Sequence, residues 1–242
     1  MKLDPYAVFF FCSFGLLFTM LELMRPARPI NYRGVIKSDL IALALYELFF
    51  FPAAVYVSNR VPMPNRFFLN ELMGLPLPIR LVLFYVAADF GSYWFHRFMH
   101  TRYVWRVHKW HHSPTYMYWL AGIRATFPQQ ILFNLPVVFF YPLLRHAPSW
   151  LFLGVLAENF FRNDWQHMNF TWRSNWLEWL FVTPRYHHIH HSDDPHHYLA
   201  NLGSLLTVWD RLFGTYVNPD QVREISFGTG ESNSQFRLAL GI

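Results

Sequence analysis

The sequence predicts an all-α, multi-pass membrane protein with four or five membrane helices in hairpins and a histidine-rich metal site on one side. Three observations lead there. The chain is 53% hydrophobic and only 14% charged over 242 residues, too apolar for an ordinary water-soluble domain. Its apolar residues gather in five stretches instead of spreading through one core. Eleven of its thirteen histidines fall in two short segments, 96–112 and 187–197.

The first apolar stretch, 6–24, follows a single lysine and ends at Glu22 and Arg25. It lacks a small-residue cleavage site, so it reads as a retained anchor and not as a signal peptide. The stretches 39–57, 77–95 and 127–144 likewise approach the ~17–25 residues a helix needs to cross a bilayer. The stretch 150–161 is shorter. Tilted, or packed against its neighbours, it returns as the second arm of a hairpin whose turn is Arg145-His146-Ala147-Pro148. The loop 59–78 holds four prolines and reads as an irregular connection. From 218 onward the chain turns polar, with Gly228-Thr-Gly230 and Glu231-Ser-Asn-Ser, and reads as a surface appendage.

Charge placement sets an orientation. Arg25, Arg28, Arg33 and Lys37 precede Asp39 with no acid among them, which puts that loop in the cytoplasm. Two further crossings bring His96 to the same side, with Arg97, Arg102, Arg106 and Lys109, and the hairpin after 127 returns His167 there. A shallow hairpin of the first two segments gives the same relative placement. The net charge of +5 suits a membrane surface. Nucleic acid is not expected as a partner, since no basic stripe with interleaved stacking aromatics stands apart from the spans. A single cysteine, Cys12, excludes disulfides, iron–sulfur clusters and cysteine zinc sites within one chain.

The histidines form three patterns: His96-x3-His100, His108-x2-His111-His112, and His187-His188-x-His190-His191. Spacings of three and four place side chains on one helix face, so each pattern projects two or three imidazoles together. Left without partners, buried polar rings cost about 1–3 kcal/mol each, a penalty that metal ligation removes. With the solitary His167, the candidate ligands are His96, His100, His108, His111, His112, His167, His187, His190 and His191. Nine imidazoles exceed the four of one tetrahedral zinc, and two metals with four or five nitrogens each fit better. Imidazole suits zinc, copper and iron, of which iron activates oxygen at open positions. His188 lies about 100° from His187 in helical phase and is expected to face elsewhere. His196 and His197 follow Pro195 and read as loop residues, and His146 as a solvated turn residue.

Two longer motifs accompany these patterns, Thr183-Pro-Arg-Tyr-His187-x2-His190-His191-Ser192 and Trp209-Asp-Arg-Leu-Phe-Gly-Thr-Tyr216. In this order and spacing, from about 81 to 216, the chain resembles the fatty acid hydroxylase and sterol desaturase superfamily of integral-membrane di-iron oxygenases. The resemblance implies a membrane hairpin base and a cytoplasmic helical cap, with two iron ions as cofactor and O2 as co-substrate. It implies hydroxylation of a lipid C–H bond, with desaturation as the alternative outcome at the same site. The organisation expected is N-terminal membrane helices over 1–80, a catalytic domain over 81–217 and a polar tail over 218–242. No flavin fold, haem domain or cysteine cluster is legible, so electrons are expected from a separate cytochrome b5-, ferredoxin- or reductase-type protein. The expected location is a multi-pass position in a bacterial inner membrane, ahead of the endoplasmic reticulum, with the site on the cytoplasmic side. Two positions depart from the family pattern. Asn163 stands where a second histidine often precedes the one matching His167, and Leu199 with Asn201-Leu-Gly203 stand where an Asp and Asn-Tyr-Gly are common. A metal transporter would need ligands along the spans, and a haem-binding membrane protein suits adjacent His doublets poorly.

Around the histidines, Asp89, Glu158, Asn163, Asp164, His188 and Asn201 are candidates for supporting contacts. Asp89 and Glu158 lie in apolar stretches, where ionisable groups have partners. Either they accept the free N–H of a ligating histidine, or they pair with Arg97 or Arg162. Arg102, Arg106, Lys109 and Arg124 either hold an anionic head group or form the positive face. Asp210 and Arg211 read as a structural turn. Tyr116-Met-Tyr-Trp119 lines a lipid channel or packs as core.

Overall fold

A computed structural model of the chain describes residues 5–62, 67–230 and 234–241. Among the described residues the structure is helical, with three isolated β-bridges and no strand. In chain order the helices are α1 (Pro5–Met24), α2 (Ile36–Ser58), α3 (Phe67–Glu71), α4 (Leu77–Met99), α5 (Trp105–His108), α6 (Phe127–Phe140), α7 (Ser149–His167), α8 (Asn175–Leu180), α9 (Pro184–His190), α10 (Val208–Leu212) and α11 (Gln235–Leu240). Residues 63–66 of the proline-rich connection and the Glu231-Ser-Asn segment lie outside the described residues.

Among the described residues two helical segments, Ile36–Ser58 and Phe127–Leu144, are long and apolar enough to cross a membrane, against the four or five expected. The first stays continuous through Pro52, which has no N–H to give and crowds the carbonyl four residues back. The turn before it, Tyr46–Phe50, widens to π geometry, so that the Phe51 N–H reaches the Tyr46 carbonyl. Val8–Met24 is apolar but shorter. Helix α4 has the length, yet Arg80, Asp89, Ser92 and His96 dilute its hydropathy. These four are buried, while Val82, Val86 and Phe90 point outward at spacings of four. Its apolar face therefore looks away from the protein and its polar face looks in. Phe9, Leu16 and Met20 of α1, and Ile41, Phe49 and Tyr56 of α2, are exposed in the same way.

Helices α4 and α6 cross closely at Gly91, where an added Cβ would stand 2.8 Å from the Pro136 Cβ. Helix α1 packs on α7 through the rings of Phe14, Phe18 and Phe161. Its Glu22 is fully buried and accepts hydrogen bonds from the Tyr32 hydroxyl (2.7 Å), the Trp119 N–H (2.8 Å) and the Asn169 N–H (2.7 Å). The end of α1 is thus fastened to the part of the chain that carries the histidines.

Two expectations change here, and one open pair of alternatives is decided. Arg124 is no exposed cation for a head group: it is buried and paired with Asp39 of α2 at 2.5 Å, and the Tyr118 hydroxyl donates to the same carboxylate. Tyr116, Met117 and Tyr118 take the second of their two readings and pack as core with Trp110, Val35 and Ala42. Nor is the segment after 218 a free appendage. Its Ser226 donates to Asp193, Gln235 accepts from the Trp110 indole at 3.0 Å, and Leu238 and Ala239 are buried.

Candidate metal centre

Four pieces of chain converge on one buried space. The last turns of α4 bring His96 and His100, and α5 with the turn after it brings His108, His111 and His112. The C-terminal end of α7 brings His167, and α9 with its capping residue brings His187, His190 and His191. Pro184 starts α9 with a fixed φ and without a donor, which suits the first helical turn. The nine rings sort into a group of five (His96, His100, His108, His112, His190) and a group of four (His111, His167, His187, His191), each with its nitrogens within 4.8 Å of one another. Both adjacent doublets split between the groups. Neighbouring residues diverge by about 100°, so His111 and His191 turn one way, and His112 and His190 the other. The two groups consequently share a wall, with the His112 and His191 rings stacked at 4.4 Å.

The four-histidine group fits a metal and fits hydrogen bonding poorly. The Nε2 atoms of His167, His187 and His191 stand 3.2, 3.3 and 3.1 Å from one another. A hydrogen bond needs one donor and one acceptor, and three mutually close atoms cannot be divided so that every pair holds one of each. At least one pair must oppose like with like. Nitrogens sharing a metal at the usual imidazole distance of about 2.0–2.1 Å stand about 3 Å apart, and a cation accepts all three lone pairs. In the five-histidine group the Nε2 atoms of His100, His112 and His190 are buried without a partner. Burial, reinforced by neighbouring rings, holds His108, His111, His112, His187, His190 and His191 well below the usual histidine range. At neutral pH these rings are uncharged, the state that ligates.

Backbone carbonyls fix which nitrogen points inward. The Nδ1 of His96 meets the Leu202 carbonyl at 2.7 Å, His111 that of Arg124 at 3.2 Å, His167 that of Asn163 at 2.7 Å and His190 that of Ala200 at 3.0 Å. Each Nδ1–H donates, which leaves Nε2 as the free lone pair. Among the described residues, the candidate carboxylates Asp89 and Glu158 have other partners. Asp89 accepts from the Leu205 and Leu206 N–H groups and the Trp209 indole, holding the loop that carries the Leu202 carbonyl. Glu158 pairs with Arg162 at 2.8 Å, while Arg97 bonds Tyr93 and the Phe213 carbonyl. Asn163 contributes its carbonyl to His167 and its side chain to Asp164 (3.3 Å). Among the described residues no further ring joins this group, which stays at four. His188 turns away from both groups to Arg28 (3.1 Å) and the His167 carbonyl (3.3 Å).

Asn201 sits between the two carbonyl-bearing residues Ala200 and Leu202. Its φ is +52°, and its side chain bonds the Tyr186 and Val217 carbonyls and the Val217 N–H. Asp210 steadies the same turn, accepting from the Leu202 and Gly203 N–H groups, Tyr186 and Thr215. Asn201→Ala removes three hydrogen bonds and adds about 1–2 kcal/mol of left-handed strain. Metal affinity of the five-histidine group should fall about 10–100-fold, read by iron titration, and Asn201→Gly, which relieves only the strain, should fall less.

Sequence reasoning passed over Gly122. An added Cβ there would lie 2.4 Å from the His167 Nδ1 and 2.5 Å from its Cε1, so only glycine leaves room for that ring. A cavity of about 1320 Å³ opens onto His96 of one group and His111, His167 and His187 of the other. It runs between α2, α6 and α7 to Tyr141 and Arg145.

The family model "Fatty acid hydroxylase" matches residues 81–215. Alkylglycerol monooxygenase of Xenopus tropicalis is 32% identical over 56% of this chain and 30% of its own length. Ornithine lipid hydroxylase OlsE of Rhizobium tropici is 33% identical over 68% of this chain and 50% of its own. Delta(7)-sterol 5(6)-desaturase erg31 of Schizosaccharomyces pombe is 32% identical over 58% of this chain and 45% of its own. The chain spans half or less of the length of each of these three relatives. No solved structure is similar enough to count as a match.

Proposed function

This chain belongs to the fatty acid hydroxylase family, and from that premise we propose that it is a membrane-bound lipid hydroxylase that uses two iron ions, O2 and electrons from a separate protein. The observation that carries the reading is the pair of adjoining buried histidine groups at the end of one long cavity. One iron would be held by His96, His100, His108, His112 and His190, the other by His111, His167, His187 and His191. Iron bound there supplies the activation of O2 needed to cleave an unactivated C–H bond. The chain's own residues do the rest. The carbonyls of Arg124, Asn163, Ala200 and Leu202 keep four rings in one tautomer. The cavity lined by His96, His111, His167 and His187 would hold a lipid chain beside both groups.

The membrane base comprises spans at 6–24, 39–57, 77–95, 127–144 and 150–161, the last short and tilted. The outward apolar faces of α1, α2 and α4 support this. The histidine groups lie on the cytoplasmic side in this reading, which the basic residues after α1 support, in a bacterial inner membrane ahead of the endoplasmic reticulum. The electron donor is of cytochrome b5, ferredoxin or reductase type. Desaturation is the second reading, favoured by the relative named as a sterol desaturase. Comparative lipid mass spectrometry of cells with and without the protein separates the two. A species that gains one oxygen supports hydroxylation, and one that loses two hydrogens supports desaturation. An unchanged lipid profile under aeration contradicts both.

A further inference from the structure

Helix α8 is short and two-sided. Its Glu178 is buried, accepts from the Thr183 hydroxyl at 2.9 Å and pairs with Arg185. The opposite side presents Trp176, Trp179 and Leu180, whose spacings of three and four put them on one face. The two indoles are 74% and 68% exposed, and Phe181 beyond them is exposed as well. Large apolar rings gathered on a surface mark a contact with something other than water. The charges beside α8 are engaged elsewhere, Arg185 with Glu178 and Asp220, and Arg173 with Asp220.

The place of this face in the fold indicates what covers it. Thr207, just before α10, bonds the carbonyls of Glu178, Trp179 and Leu180, and Phe181 bridges to Leu206. The α10 segment lies in turn on α4, where Trp209 meets the Phe90 ring at 5.0 Å and Phe213 meets the Trp94 ring at 4.9 Å. Phe90 and Trp94 belong to the outward stripe of α4, which runs Val82, Val86, Phe90, Trp94 and Phe98 at spacings of four. Leu212 of α10 is also outward, 65% exposed. The apolar surface of a long membrane helix thus continues onto two short helices beside the metal centre.

We propose that the face of α8 formed by Trp176, Trp179 and Leu180 lies in the bilayer interface, at the level of the lipid head groups, and seats the histidine-bearing part of the chain on the membrane. The proposal rests on the membrane base described above and adds a lipid contact made outside the spans. Indole suits that depth, since its ring faces the acyl boundary while its N–H reaches polar head groups. A helix that buries its acid and offers its apolar side lies flat on such a boundary. A soluble protein covering α8 would also have to pass over the outward stripe of α4, which lipid covers without any change of partner. Helix α8 leads through Thr183 into α9, so the same contact fixes the height of His187 and His190 above the bilayer.

Fluorescence quenching tests this without turnover. In the iron-loaded full chain, Cys12→Ala removes the single natural thiol, and Trp176→Cys or Trp179→Cys is labelled with bimane. Each variant is placed at one chain per nanodisc in phosphatidylcholine with phosphatidylglycerol. Phosphatidylcholine bearing a nitroxide high on its acyl chain should quench both labels about threefold more than a label at Glu224→Cys, and aqueous iodide should quench them about threefold less. A label at Val86→Cys, on the outward stripe of α4, gives the lipid reference. Leu212→Cys carries the same expectation as the two tryptophan positions, which keeps the claim testable should either of those variants not fold. Iodide reaching these labels as freely as the one at 224 overturns the proposal. Protection from iodide without quenching by the lipid nitroxide also overturns it, and assigns the face to a protein partner or a second copy. Iodide reaching the Val86 label would contradict the membrane base, and this seat with it. An unchanged cellular lipid profile with both labels in lipid would instead overturn the proposed activity and leave the contact standing.

Discussion

His191→Ala and His190→Ala, one residue apart, are expected to weaken different metal sites, and only the first to empty one. His191 supplies one of the three nitrogens that lie 3.1–3.3 Å apart in the four-histidine group, and its loss leaves three ligands there. His190 belongs to the five-histidine group, where four remain. His191→Ala should retain close to one iron per chain. His190→Ala should approach two at saturating iron but bind one of them more weakly. Product formation should fall more than about 100-fold in His191→Ala, equivalent to about 2.7 kcal/mol of lost transition-state stabilisation. Elemental analysis alongside lipid mass spectrometry reads both quantities. Equal iron loss in the two variants would mean that the doublets do not divide the site.

Gly122→Ala should disable the same four-histidine group without touching a ligand. The new methyl would overlap the His167 ring at 2.4–2.5 Å, and that ring is pinned by its bond to the Asn163 carbonyl. The glycine lies in a buried 3-10 segment, Trp119–Ile123, whose N-terminal N–H is bonded to Glu22, so the backbone has little freedom to retreat. Overpacking of this kind costs about 1–3 kcal/mol, a drop of several degrees in Tm for a chain of this size. The diagnostic outcome is selective: iron should fall toward one per chain while the helical signal persists. Gly154→Ala on α7, where an added Cβ meets nothing within 4 Å, should leave iron unchanged and should not lower Tm.

Much of the site was legible because helices repeat every 3.6 residues, so that His96 with His100, and His187 with His191, announce a shared face by spacing alone. His167 has no such signal and entered through the family resemblance. The fold gathers these nine rings, but their division into five and four was not legible. It depends on α5 lasting only four residues and on the turn that follows it, which sets the phase of His111 and His112. The supporting shell was mostly hidden for a chemical reason. Four rings are oriented by backbone carbonyls, which every residue possesses, so no side chain marks the positions of Arg124, Asn163, Ala200 and Leu202. Asp89 and Glu158 drew attention as charged residues in apolar stretches, yet one ties down a loop and the other pairs with Arg162. The role of Gly122 is visible only once His167 lies against it. The outward apolar face of α4 is hidden from mean hydropathy, since averaging along the helix mixes the exposed Val82, Val86 and Phe90 with the buried Arg80 and Asp89.

A paired-metal site is the centre of this reading, and metal stoichiometry tests it most directly. The full chain, purified in detergent and loaded with ferrous iron in the absence of oxygen, should hold two irons per chain by elemental analysis after desalting. One tightly held zinc with no iron retained would contradict it.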